Sequence, residues 1–169
     1  MAADYQALVR ELAAAGIREG HYQWYGLILG WISRGLEPSG GLLGALSSIM
    51  NGGEPLPGSA AAALTGLALD ARGAWRSGAD ARTLLAFPDR RVPAPERLRV
   101  LSDLCCGLTL GLTCGDDGFT RDKPAPGLLE DLRSLSALSE VDTAGQLEEE
   151  DLDAVLEFIR RLLLSRPRD

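Results

Sequence analysis

The chain has 169 residues, 46% of them apolar and 24% charged, with aromatics at only 5%. That is enough for one domain with a packed core, it excludes disorder of the whole chain, and a core drawn from Leu, Ala, Val and Ile favours helices over sheets. A net charge of −7 is repelled by phosphate and argues against nucleic-acid binding by the chain as a whole.

The start, Met1-Ala2-Ala3-Asp4-Tyr5, has neither the basic nor the apolar region of a secretory signal, and no apolar run approaches the roughly 20 residues of a membrane span. The three cysteines, Cys105, Cys106 and Cys114, are odd in number and clustered. Together these features lead to the expectation of a cytoplasmic protein with reduced thiols.

Tyr5, Leu8, Val9 and Leu12 recur at helical spacing and predict a first helix that ends at Gly16. A second runs from about Glu19 to Ser33, with Trp24, Leu27, Ile28, Trp31 and Ile32 as its apolar set, closed by Gly35 and Pro38. A third covers about Gly41 to Met50. Asn51-Gly52-Gly53 with Pro55 and Pro57 then marks a loop. Ser59 suits the N-cap of a long fourth helix ending near Ser77-Gly78, with a stripe of Leu64, Leu67, Ala68, Ala71 and Trp75. Thr83 to Pro95, broken by Pro88, Pro93 and Pro95, predicts a connecting loop with a short strand-like piece. The fifth helix spans about Glu96 to Thr113, and Cys114 to Pro126 is a polar turn region. Leucines from Leu128 to Leu138 give a sixth helix, and Leu152 to Leu163 give a seventh. The expected fold is therefore all-α: about seven helices in one irregular bundle over residues 1–169, with a proline-rich loop between the fourth and fifth.

Glycine in a helix interior costs about 1 kcal/mol relative to Ala, so four such positions need a reason. Gly26 and Gly30 lie four apart on the second helix, and Gly107 and Gly111 lie four apart on the fifth. Residues four apart share a face, and a bare face lets another backbone come close. The expectation is that the two helices cross at these glycines. The alternative is that each groove accepts an ordinary large side chain.

The same residues carry a family likeness. Trp24-Tyr25-Gly26-Leu27-Ile28-Leu29-Gly30-Trp31-Ile32 resembles the first signature helix of the YecA/YgfB family, with Tyr25 in place of the usual His. Leu84-Leu85-Ala86-Phe87-Pro88-Asp89 resembles the family's Leu-rich segment ending in Pro-Asp. Arg97, Cys105, Gly107, Gly111 and Leu112 match its next helix, with Leu104 where Trp is usual and Leu108 where Phe is usual. Glu130-Asp131-Leu132, Glu148-Glu149-Glu150-Asp151 and Glu157-Phe158-Ile159-Arg160 resemble its closing segments. The likeness runs in order over nearly the whole chain. It implies an all-helical bacterial protein with no established enzymatic activity; with no Cys after Cys114 and no His after His21, the Cys/His-rich metal-binding tail of some longer relatives is not expected.

Read for chemistry, the chain offers little. Its metal-ligand candidates of the zinc type are His21, Cys105, Cys106 and Cys114, and neighbouring helical residues point about 100° apart, so no metal is expected. A cysteine nucleophile needs a base, and nothing in the sequence places His21 near Cys105. Phosphate-binding glycine motifs are missing, and Asp116-Asp117-Gly118 fails the calcium-loop pattern. No cofactor and no catalytic residue is expected.

Charge, by contrast, is segregated. Ten acids and one base, Arg133, lie between Leu128 and Ile159; seven arginines (72, 76, 82, 90, 91, 97 and 99) lie between Arg72 and Arg99 against Asp80, Asp89 and Glu96. Arg90-Arg91 sits on the irregular loop, where recognition residues often live. These arginines either meet an acidic partner or pair internally; the acidic run is either a solvated helix start or a docking surface. Trp24 and Tyr25 are contact residues if exposed and core residues if not. The leading expectation is a non-catalytic interaction or regulatory module that binds another protein or itself. The alternatives are a small-molecule-binding protein or enzyme with a pocket between helices, and a redox sensor, which would need a depressed thiol pKa at Cys105 or Cys106.

Overall fold

From His21 to Ser33 the chain carries no Asp, Glu, Lys or Arg, and a helix that is apolar on every side is stable only when surrounded. The computed structural model, which describes residues 5–35, 40–114, 126–137 and 148–164, places this segment at the centre of the fold. It forms α2 (His21–Ser33), and every residue from Trp24 to Ser33 is buried. Around it stand α1 (Tyr5–Ala14), α4 (Gly58–Ser77), α6 (Ala94–Thr113) and α8 (Glu149–Leu164), with its most extensive contact on α6. The shorter α3 (Gly40–Met50) packs on α4, and α7 (Pro126–Ser136) packs on α6. All regular structure among the described residues is helical, in a compact bundle.

The eight described helices exceed the expected number by one turn. Between α4 and α6 the chain forms α5 (Ala81–Leu84) instead of a strand-like piece. The cause is local: the Asp80 carboxylate accepts the Thr83 backbone N–H at 3.1 Å and its hydroxyl at 2.5 Å, a side-chain cap that nucleates a single helical turn. The same two bonds hold the Asp80 carboxyl below its ordinary range. Two other boundaries also differ from expectation. Helix α4 starts one residue before Ser59, after Pro57, so Ser59 is not its cap; its hydroxyl instead reaches the Ala15 carbonyl at 3.5 Å. Helix α6 starts at Ala94, before Glu96, because Pro95 lies in the first turn, where no backbone N–H is needed. Gly78 ends α4 in the left-handed conformation, with the Ala79 N–H bonded back to the Ala74 carbonyl. Most of the expected polar turn from Cys114 to Pro126, together with Pro38 and Leu138, lies outside the described residues.

The α2–α6 contact is a glycine crossing. The two helices run in the same direction, with Gly26 against Leu104, Gly107 and Leu108, and Gly30 against Leu108 and Gly111. A Cβ on Gly26 would overlap the Leu104 carbonyl oxygen, and one on Gly107 would overlap the carbonyl oxygen of Gln23. A Cβ on Gly30 would stand 2.9 Å from the Gly111 Cα. The opposing partner at all four positions is backbone, not an accommodating side chain. Beyond the crossing, α2 caps its neighbour: Trp31 Nε1 donates to the Cys114 carbonyl at 2.8 Å and Arg34 to the Leu112 carbonyl at 2.8 Å, satisfying carbonyls that the end of α6 leaves open.

Candidate functional site

The loop from Leu85 to Pro93 begins with apolar residues that are held inward. Leu84, Leu85, Ala86, Phe87 and Pro88 are all buried. Two tyrosines of α2 fix the backbone there: Tyr22 donates to the Ala86 carbonyl at 2.6 Å and Tyr25 to the Leu84 carbonyl at 2.9 Å. Ala86 adopts φ +46°, a conformation an L-residue holds only when its surroundings impose it. Burial raises the Tyr25 hydroxyl above its ordinary pKa, so it stays a proton donor. With its base anchored in this way, the loop turns outward at Asp89 and presents Arg90 and Arg91 to solvent. Their side chains are 71% and 93% exposed.

The chain's two charge poles meet at this loop. Glu149, in the first turn of α8, is approached by three arginines from three elements: Arg82 of α5 at 3.4 Å, Arg90 of the loop at 3.5 Å, and Arg97 of α6, which donates to it directly. Arg82 also bonds Asp153 at 2.6 Å and the Pro88 carbonyl at 3.1 Å. The Arg97 side chain is only 11% exposed and that of Glu149 is 26% exposed, so this pair sits at the floor of the cluster while Arg90 and Arg91 form its rim. The arginines and acids that the sequence separates by more than 50 residues thus form one arginine clasp. Internal pairing accounts for Arg82, Arg90 and Arg97. Arg91 pairs with its neighbour Asp89 at 3.7 Å.

Two candidate contact residues take the core role rather than the surface one. Trp24 and Tyr25 are buried in the core, because α2 is enclosed by its neighbours. Their role is structural: Tyr25 holds the loop and Trp24 fills the bundle. Gly26, Gly30, Gly107 and Gly111 form the crossing described above. Arg82 and Glu149 stood in the sequence only as members of a basic and an acidic region, and nothing there singled out Asp153 or paired the three. The hydrogen-bond role of Tyr22 likewise has no local signature.

The thiols are not poised for chemistry. Cys105 is fully buried, and burial with the neighbouring Cys106 pushes it up to about 12. Cys106 is exposed and faces the Gln23 amide at 3.6 Å; partial burial and Asp103 raise it as well. A redox sensor needs the opposite shift. We therefore expect native protein at pH 7 to react with a thiol-alkylating reagent more slowly at Cys106 than a free cysteine does. Cys105 should become reactive only on unfolding, a pattern that peptide mapping of the labelled protein would check. Labelling of Cys105 in the folded state would contradict this arrangement. Among the described residues no group of three His, Cys, Asp or Glu is placed to hold a metal ion, and no helix is long and apolar enough to cross a membrane.

The chain matches no protein-family model, no curated protein and no solved structure.

Proposed function

We propose that the chain is a YecA/YgfB-type protein of the bacterial cytoplasm that works without catalysis, as an interaction or regulatory module for a partner protein or a second copy of itself. The family reading rests on the ordered motifs from Trp24 to Arg160. The observation that carries the interaction reading is the presentation of Arg90 and Arg91. A loop whose base is buried and tyrosine-bonded holds two solvent-facing guanidiniums at its tip. Such a tip has lost much of its backbone freedom before any partner arrives, which lowers the entropy cost of binding. Arginine is also the side chain best suited to forked recognition of carboxylates.

The test is an affinity capture with tagged protein at low and moderate salt, comparing wild type with Arg90→Glu/Arg91→Glu. Both side chains are exposed, so the variant should melt within about 1 kcal/mol of wild type. The expected result is one stoichiometric partner, lost in the variant and weakened by salt. Recovery of the same partner in equal amount from the variant would remove the loop as the contact site.

A further inference from the structure

The arginine surface of the loop is already partly occupied from within. We infer that Glu149 is an intramolecular stand-in for an acidic helical segment of the partner protein, so that the clasp stays closed until such a segment displaces it. This deepens the interaction reading above and rests on it.

The resident occupant defines the chemistry of the incoming one. What sits in the clasp is a carboxylate from an acidic first helical turn, Glu149-Glu150-Asp151, and three arginines from α5, the loop and α6 surround it. The clasp also holds more donors than its occupants use: Arg97 Nε is buried with no hydrogen-bond partner among the described residues. Arg97 is held in place by burial, so the floor of the site is formed before a ligand arrives. At the rim the pair of Arg90 with Glu149 is long, 3.5 Å, and an exposed pair of this kind is weak and easily exchanged; Arg91 pairs with Asp89 at 3.7 Å.

Helix α8 is built so that its first turn can yield without the rest. Glu149 lies ahead of Leu152, its first buried apolar residue. Further along, α8 is anchored by Leu156, Ile159 and Leu163, by Trp75 Nε1 donating to the Leu163 carbonyl at 3.1 Å, and by Arg160 donating to the Gly78 and Ala79 carbonyls. Ahead of Leu152, whose N–H bonds the Glu148 carbonyl at 3.1 Å, the side-chain contacts of Glu149 are with the arginines. Because it is tethered, it competes at an effective concentration on the order of millimolar, which keeps the clasp closed to weak acidic ligands.

The experiment uses intact protein and a synthetic acidic peptide copying residues 148–155, with binding read by fluorescence anisotropy at low salt. Glu149→Gln keeps the side chain's size and removes its charge. This variant should bind the peptide about tenfold more tightly than wild type, and adding Arg90→Glu/Arg91→Glu should abolish the gain. Equal affinity for the two proteins, or binding to neither, overturns the inference. Should circular dichroism show Glu149→Gln to be disordered, wild type decides: saturating peptide should speed amide exchange at residues 150–152, and unchanged exchange is the overturning result. The two readings fail separately. A captured partner that needs Arg90 and Arg91 but binds wild type and Glu149→Gln alike removes only the stand-in. A partner indifferent to Arg90 and Arg91 removes the interaction reading itself.

Discussion

Gly107→Ala is expected to destabilise the protein by about 3 kcal/mol, the upper range for overpacking a core. The added methyl would overlap the Gln23 carbonyl oxygen and crowd the Leu27 nitrogen, both backbone atoms of the central helix. A side chain in the way can change rotamer; a helix backbone can only move as a whole, and α2 is packed on several sides. The loss comes despite the higher helix propensity of Ala, worth about 1 kcal/mol. Gly26→Ala should behave the same way, against the Leu104 carbonyl. At roughly 2–4 °C per kcal/mol for a chain of this size, the melting temperature should fall by about 10 °C. Gly66 supplies the control. It lies on the exposed face of α4 with nothing within 4 Å of its missing Cβ, so Gly66→Ala should stabilise by about 0.5–1 kcal/mol. Thermal melts of the three variants settle the point; a Gly107→Ala melt that rises like that of Gly66→Ala would falsify the crossing.

The second large effect is an asymmetry within one ion pair. Glu149→Met should cost about 2 kcal/mol or more, and Arg97→Met clearly less. Removing the carboxylate strands a nearly buried guanidinium whose Nε already has no hydrogen-bond partner among the described residues. Breaking a buried pair from one side costs about 3–5 kcal/mol; the one-quarter exposure of Glu149 reduces that figure here. Removing Arg97 instead leaves Glu149 with Arg82 and Arg90 and with access to water, while the methionine puts an apolar side chain of similar length at a nearly buried position. Urea melts of both variants test this. Equal losses would mean that the pair contributes through packing alone. The same asymmetry explains why Glu149→Gln, which keeps a hydrogen-bonding oxygen, is the better probe of partner binding than a full truncation.

Much of the bundle was legible because its signals are local. Apolar residues at helical spacing marked α1, α2, α3, α4, α7 and α8, since each helix must turn one stripe, or in α2 its whole surface, away from water. The four glycines were legible for the same reason: a residue that costs stability inside a helix signals that something comes close, although only the fold shows that the close partner is the other glycine helix. The strand-like piece was misread because proline punctuation outweighed a cap: Asp80 and Thr83 make a helical turn through side-chain bonds that periodicity does not register.

The sequence by itself determined the helical class, the apolar second helix and the glycine contact surfaces, because spacing along one helix is a property of neighbouring residues. The tertiary structure alone decided the fate of the charges. Arg82, Arg90 and Arg97 could have faced a partner or an acid of their own chain, and they meet Glu149 only because α8 folds back across α5, over a separation of 52 to 67 residues. Long-range electrostatic pairing leaves no periodic trace along the chain. The same holds for Trp24 and Tyr25: an aromatic on an apolar helix anchors an interface or fills a core according to what surrounds the helix, and in this protein the surrounding helices close over it.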